Sequence, residues 1–129
     1  MRDLQKQIGP AQALAPALYT STTNGTGIDR ADYEGVVFVV TSGTVTDGTY
    51  AFKIQDSADN SSFSDAAAGD VSGSITNITS STTATEQKFA YAGPKRYCRL
   101  VMTVTGSPGT GGYICAVAIK SGAKVLPTS

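Results

Sequence analysis

The sequence predicts an all-β domain, an antiparallel β-sandwich or jelly-roll-like fold with an extended N-terminal arm, and three observations predict it. In a chain of 129 residues that is 40% hydrophobic and only 16% charged, Gly, Ser and Thr abound while Lys and Glu are scarce, a balance that favours strands and turns over helices. Short apolar stretches recur between turn signals such as Asn24-Gly25, Asp47-Gly48 and Gly93-Pro94. Several alternate apolar with polar at period two, which puts one side of the strand in a core and the other in water. At this length a chain buries about two-thirds of its unfolded surface, enough for one domain without a metal or disulfide. The expected division is an arm over 1–20 and a single sandwich domain over 21–129.

The arm carries Leu4, Ile8, Leu14 and Leu18 at near-helical spacing, but Gly9, Pro10 and Pro16 interrupt it. Proline inside a helix removes a hydrogen bond and clashes with the preceding turn, so at most a short helical turn survives. Apolar residues on such a segment suggest that it lies across another surface, its own domain or a neighbour. Its opening lacks the continuous apolar region and small-residue cleavage site of a secretory signal. No apolar run in the chain approaches the length of a membrane span.

Val36 to Val40 is apolar on both sides, the pattern of a central strand covered on both faces. Tyr50, Phe52 and Ile54 alternate with Ala51, Lys53 and Gln55, giving one core face and one wet face. Phe52→Ala is expected among the most damaging substitutions, since burying a large apolar side chain stabilises by roughly 1.5–3 kcal/mol. Asp56 to Asp65 is dense in short polar side chains that favour turns. A calcium loop starting at Asp56 needs glycine at its sixth position and a bidentate acid at its twelfth, where this chain has Ser61 and Ala67. Ala66 to Thr85, with Val71, Ile75 and Ile78 its sizeable apolar residues, reads as a weak edge strand and a loop. Tyr97, Arg99, Val101, Thr103 and Thr105 then fall opposite Cys98, Leu100, Met102 and Val104. The Gly106 to Gly112 turn and the apolar run Tyr113 to Ile119 complete an expected hairpin that closes the core.

Equal numbers of basic and acidic residues, 10 each, argue against a protein that works by neutralising phosphates or an anionic membrane. Neither nucleic acid nor membrane is an expected partner. The charge is nonetheless polarised. Asp29, Asp32, Glu34, Asp47, Asp56, Asp59, Asp65 and Asp70 are offset in their region by Arg30 and Lys53 alone, whereas Lys88, Lys95, Arg96, Arg99, Lys120 and Lys124 follow with no acid among them. Opposite patches of this kind guide like subunits or a larger scaffold into register. Without histidine the chain has no Ser-His-Asp or Cys-His catalysis and no His-ligated zinc, and its two cysteines lack metal-ligand spacing. The glycines match neither the dinucleotide nor the phosphate-loop spacing. The chain is therefore expected not to be an enzyme and to need no cofactor or metal.

Asn24-Gly25-x-Gly27-x-Asp29, Asp47-Gly48-Thr49-Tyr50-Ala51-Phe52-Lys53, Asp56-Ser57-x-Asp59 with Phe63-x-Asp65, and Tyr91-x-Gly93-x-x-Arg96-Tyr97-x-Arg99 follow one another in the chain. Their order and spacing, from about Gly25 to Pro127, resemble the small head proteins of tailed bacteriophages that decorate or cement the capsid. That resemblance implies a β-sandwich or jelly-roll subunit, dimeric or trimeric, assembled in the host cytoplasm and placed on the capsid surface of the virion. There it would bind the major capsid protein and bridge its subunits. On this reading Leu4, Ile8, Leu14 and Leu18 of the arm, and Arg96, Tyr97 and Arg99 of the basic region, are the candidate interface residues. A head-completion or tail structural protein is an alternative with the same fold. A carbohydrate-binding module is another, although such sites use exposed Trp or Tyr platforms and this chain has no Trp.

Cys98 and Cys115 are both expected on the inner faces of their strands, as small buried hydrophobes several residues out of register. Intact mass under non-reducing conditions should show two free thiols; a loss of two hydrogens would contradict this.

Overall fold

A computed structural model describes residues 9–31, 33–73, 76–80 and 86–123. Among the described residues there are ten strands: β1 (Gly9–Tyr19), β2 (Thr23–Asn24), β3 (Ile28–Asp29), β4 (Tyr33–Val45), β5 (Thr49–Ser57), β6 (Ser64–Asp65), β7 (Val71–Ser72), β8 (Glu86–Tyr91), β9 (Tyr97–Thr105) and β10 (Gly112–Ala123). One sheet has the order β1-β10-β4-β8-β7 and the other β2-β9-β5-β6, with β3 also paired to β9. All named pairings are antiparallel. This is an all-β sandwich, as the alternation and turn signals predict.

The interior follows from period two. β4 turns Val36, Phe38 and Val40 inward, and β8 adds Phe89 and Tyr91. The facing sheet supplies Tyr50 and Ile54 from β5 and Cys98, Leu100 and Met102 from β9. These side chains form one core cluster, within which the Phe38 and Phe89 rings sit 6.1 Å apart at a 55° tilt, a favourable aromatic arrangement. Ile78 is fully buried and bridges Tyr50 through two backbone hydrogen bonds of 2.9 Å. The low-complexity stretch thus contributes a plug to the core as well as the edge strand β7.

One open alternative closes and two sequence expectations change. The described part of the arm, Gly9–Tyr19, is the edge strand of the five-stranded sheet, lying on its own domain against β10. Two register shifts, at Gln12/Leu14 and Leu14/Ala17, let this proline-bearing segment stay extended while Leu14 enters the core at 3% exposure. Second, β9 and β10 form no hairpin: β9 pairs with β5 and β2, whereas β10 pairs with β4 and β1. Gly106 to Gly111 is an arch that carries the chain from one sheet to the other. Third, β10 turns toward the core the side opposite to the expected one. Ile114, Ala116 and Ala118 point inward and Cys115 outward, half exposed, while Cys98 is fully buried. Burial pushes the Cys98 thiol up to about 12.

Arches at the two ends of the sandwich are fastened by charged side chains bound to backbone. At one end Asp47, in the β4–β5 arch, accepts hydrogen bonds from the Gly109, Thr110 and Gly111 amides of the β9–β10 arch at 3.0, 3.3 and 2.6 Å. Those amides hold its carboxyl below the ordinary value. Gly48 turns there at φ +88°, where an added Cβ would come within 2.9 Å of Pro108. At the other end Arg30 donates to the carbonyls of Lys95, Gly93 and Tyr33 around the β8–β9 arch. Beside it Arg96 grips Asp29 through two hydrogen bonds of 2.9 and 2.8 Å, which hold the Asp29 carboxyl at about 2. The sheets are also joined directly: the Tyr91 hydroxyl donates to buried Asp56 across the sandwich at 2.8 Å. Asp59 folds its own loop, accepting from the Ser61 and Ser62 amides and the Ser57 hydroxyl, a turn as the sequence predicts.

Two outcomes follow for stability. Phe38 is fully buried but Phe52 is only half buried, so in urea unfolding Phe38→Ala should cost about 3–5 kcal/mol and Phe52→Ala less. Equal losses would contradict the packing. Asp29 and Asp59 have folded values near 2 against an ordinary 3.8. Their stabilisation is present above the ordinary value and disappears as pH falls through the folded one. Tm should therefore drop as pH is lowered from about 4 to about 2, and less steeply in an Asp29→Asn variant; identical slopes would contradict the Asp29 contribution.

Candidate interaction surfaces

Because the inner faces take the bulky residues of both sheets, what remains outside differs sharply between them. On the five-stranded sheet, β10 turns Tyr113, Cys115, Val117 and Ile119 outward, and β4 turns Val37, Val39 and Thr41 outward beside them. The register pairs Val37 with Ile119, Val39 with Val117 and Thr41 with Cys115. From β1, Pro10 stands next to Ile119, Gln12 next to Val117 and Leu18 next to Tyr113. Leu18, Tyr113 and Val117 are exposed by 46%, 54% and 41%. No charged residue occurs on β1, on β4 from Val36 to Val45, or on β10 from Gly112 to Ile119. Charge begins on β8, where exposed Glu86 and Lys88 lie beside Thr41 and Val39. Two shallow depressions mark the irregular β1–β10 seam, one at Pro16, Thr41, Gly43 and Tyr113, the other at Pro10, Gln12 and Val117, with Cys115 in both. A contiguous apolar patch of this kind is the usual mark of an interaction surface.

The other sheet presents a polar face. β9 and β5 pair Tyr97 with Ser57, Arg99 with Gln55, Val101 with Lys53 and Thr103 with Ala51. Arg99 donates two hydrogen bonds to the Gln55 side-chain oxygen at 3.0 and 2.7 Å and lies 4.2 Å over the Phe63 ring. Gln55 in turn donates to Asp65 at 3.0 Å, and Lys53 pairs with the same carboxylate at 3.0 Å. Gln55 first and Lys53 second hold the Asp65 carboxyl below its ordinary value. At the strand's start the Arg96 guanidinium covers the Tyr97 ring at 5.1 Å while gripping Asp29. Exposed pairs like these add little stability, typically about 0–1 kcal/mol each. Their effect is to hold long side chains in fixed positions over the face.

The sequence candidates divide between these surfaces. Leu18 lies on the apolar face next to Tyr113; Arg96, Tyr97 and Arg99 lie on the opposite, polar sheet. Leu14 is turned into the core at 3% exposure. Leu4 and Ile8 lie outside the described residues. Sequence reasoning misses Tyr113, Val117, Val37 and Val39. The signal is present in the apolar run Val36 to Val40, which has the pattern of a strand covered on both faces; among the described residues its second face is uncovered.

No protein-family profile matches the chain, and no curated protein sequence does. Solved structures do. The SPBc2 prophage-derived protein YomS is similar over 88% of this chain and 91% of its own, at 16% identity and a TM-score of 0.51. A chain in the structure of infectious bursal disease virus, Gx strain, is similar over 94% of this chain at 13% identity and a TM-score of 0.50. This chain spans about a third of that one (35%). At such identities the likeness is one of fold.

Proposed function

We propose that the protein is a structural component of a tailed-phage virion, a decoration or cement subunit that binds the outer capsid lattice and bridges major capsid subunits. One observation carries the reading: a rigid sandwich with two opposed outer faces of different chemistry, one apolar and uncharged, one polar with its charges fixed in place. A piece that joins neighbours needs two distinct surfaces. Repetition over a lattice then multiplies the effect of contacts that are individually weak. The two fold neighbours, one from a prophage and one from a virus, support the broader part, a viral structural role; fold alone leaves function open. The order of motifs between Gly25 and Pro127 supports the narrower part.

In this reading the Arg96, Tyr97 and Arg99 face meets the shell. Fixed charges and a guanidinium stacked on an aromatic ring suit a complementary charged surface, and such contacts between exposed charges weaken as salt rises.

Particles induced from a strain carrying the gene test this. A gel of the purified particles should show this chain in amounts comparable with the major capsid protein, and high salt should release part of it. A few copies per particle would point to a head-completion or tail component, and absence from particles would overturn the virion assignment.

A further inference from the structure

We propose that the apolar face of β1, β10 and β4 is a self-association surface that joins two copies of this chain about a two-fold axis. The axis lies between the stacked sheets, across the strands, level with Ala116 and Val40. This pairing is a property of the chain in solution and stands apart from its address on a particle.

The occupant follows from the symmetry of the face. A two-fold interface sets one surface against itself, so each residue must suit its symmetry mate. About the Ala116 level the outward positions of β10 are balanced: Cys115 of one copy faces Val117 of the other, and Tyr113 faces Ile119. On β4, Val39 faces Thr41 and Val37 faces Gly43, whose missing side chain leaves room for it. The same operation acts on β8, where Glu86 and Lys88 flank the level of Gln87, which pairs with Val40. It brings Glu86 of each copy to Lys88 of the other, two opposite-charge contacts at the rim of an uncharged centre. An uncharged centre with a polar rim is the ordinary anatomy of an interface.

Size agrees as well. Four strands about 4.8 Å apart and eight residues at about 3.4 Å cover about 500 Å² per copy, or about 1,000 Å² in all, where specific interfaces begin. Addition at the β1 edge is disfavoured, because that strand carries Pro10 and Pro16, which offer no backbone donor.

Sedimentation equilibrium on the full chain at micromolar concentrations tests the pairing. The wild type should show twice the 13.2 kDa chain mass. Val117→Glu, a charge placed at a 41% exposed position, should give the chain mass with an unchanged circular dichroism spectrum. Lys88→Glu should weaken the dimer roughly threefold to tenfold by setting like charges together at two symmetric points. Adding Glu86→Lys to Lys88→Glu should restore it. This rescue reads pairing across the axis even if Val117→Glu fails to fold. A wild type of chain mass at every concentration would overturn the proposal, whether the face is then bare, covered by residues 1–8 or 124–129, or used by another protein. So would a trimer, a dimer unaffected by Val117→Glu in a folded protein, or a double variant no tighter than Lys88→Glu.

Discussion

The packing of Val36, Phe38, Val40 and Phe89 onto Tyr50, Ile54, Leu100 and Met102 is the constraint from which the rest of the molecule follows. Because strand side chains alternate, committing these residues to a shared interior also commits their neighbours to the outside. On β5 and β9 that rule exposes Lys53, Gln55, Arg99 and Thr103. On β4 and β10 it exposes Val37, Val39, Val117 and Ile119. The two faces with their different chemistries are thus by-products of one core, with no added element.

Closing such a core requires the chain to pass between sheets at both ends, and those passages are where polar groups are concentrated. Asp47 ties two arches together through three backbone amides, and Arg30 gathers the Gly93 and Lys95 carbonyls of a third arch. A side chain bound to backbone fixes the path of a loop more firmly than apolar contact does, since it satisfies donors and acceptors that the arch leaves outside any sheet. Tyr91 and Asp56 add a hydrogen bond between the layers where each is buried. The sandwich is therefore anchored at its middle and at both ends, as suits a part that keeps its shape while others fit against it.

Much of this is legible in the sequence. The inward sets of β5 and β9 follow from alternation alone, and the apolar run Val36 to Val40 by itself marks the centre of a sheet. The partners of β9 and β10 are not legible, because Gly106 to Gly112 offers the same turn chemistry to a hairpin as to an arch between sheets. Alternation within Tyr113 to Ile119 does not say which of its two sides is the inner one, and Cys115 lies on the outer. In Gly9–Tyr19 the prolines exclude a helix but not an edge strand, where a missing donor is tolerated. Leu14 falls among the interface candidates because a segment spaced for a helix gives no hint of the irregularities that turn it inward. The apolar face escapes notice because β-branched residues on both sides of a strand signify burial, and by what is not written in the strand itself.

In this account association and attachment use different sides of the molecule: β10 and β4 turn toward a like copy, while Arg96, Tyr97 and Arg99 stand on the opposite side. The most direct measurement is a cryo-electron microscopy reconstruction of the particle. The account predicts the sandwich on the outer surface of the head, Tyr113 and Val117 packed against a second copy and Arg99 turned toward the lattice beneath. A reconstruction in which the β1–β10–β4 face looks into solvent, or in which the head carries no such density, would contradict it.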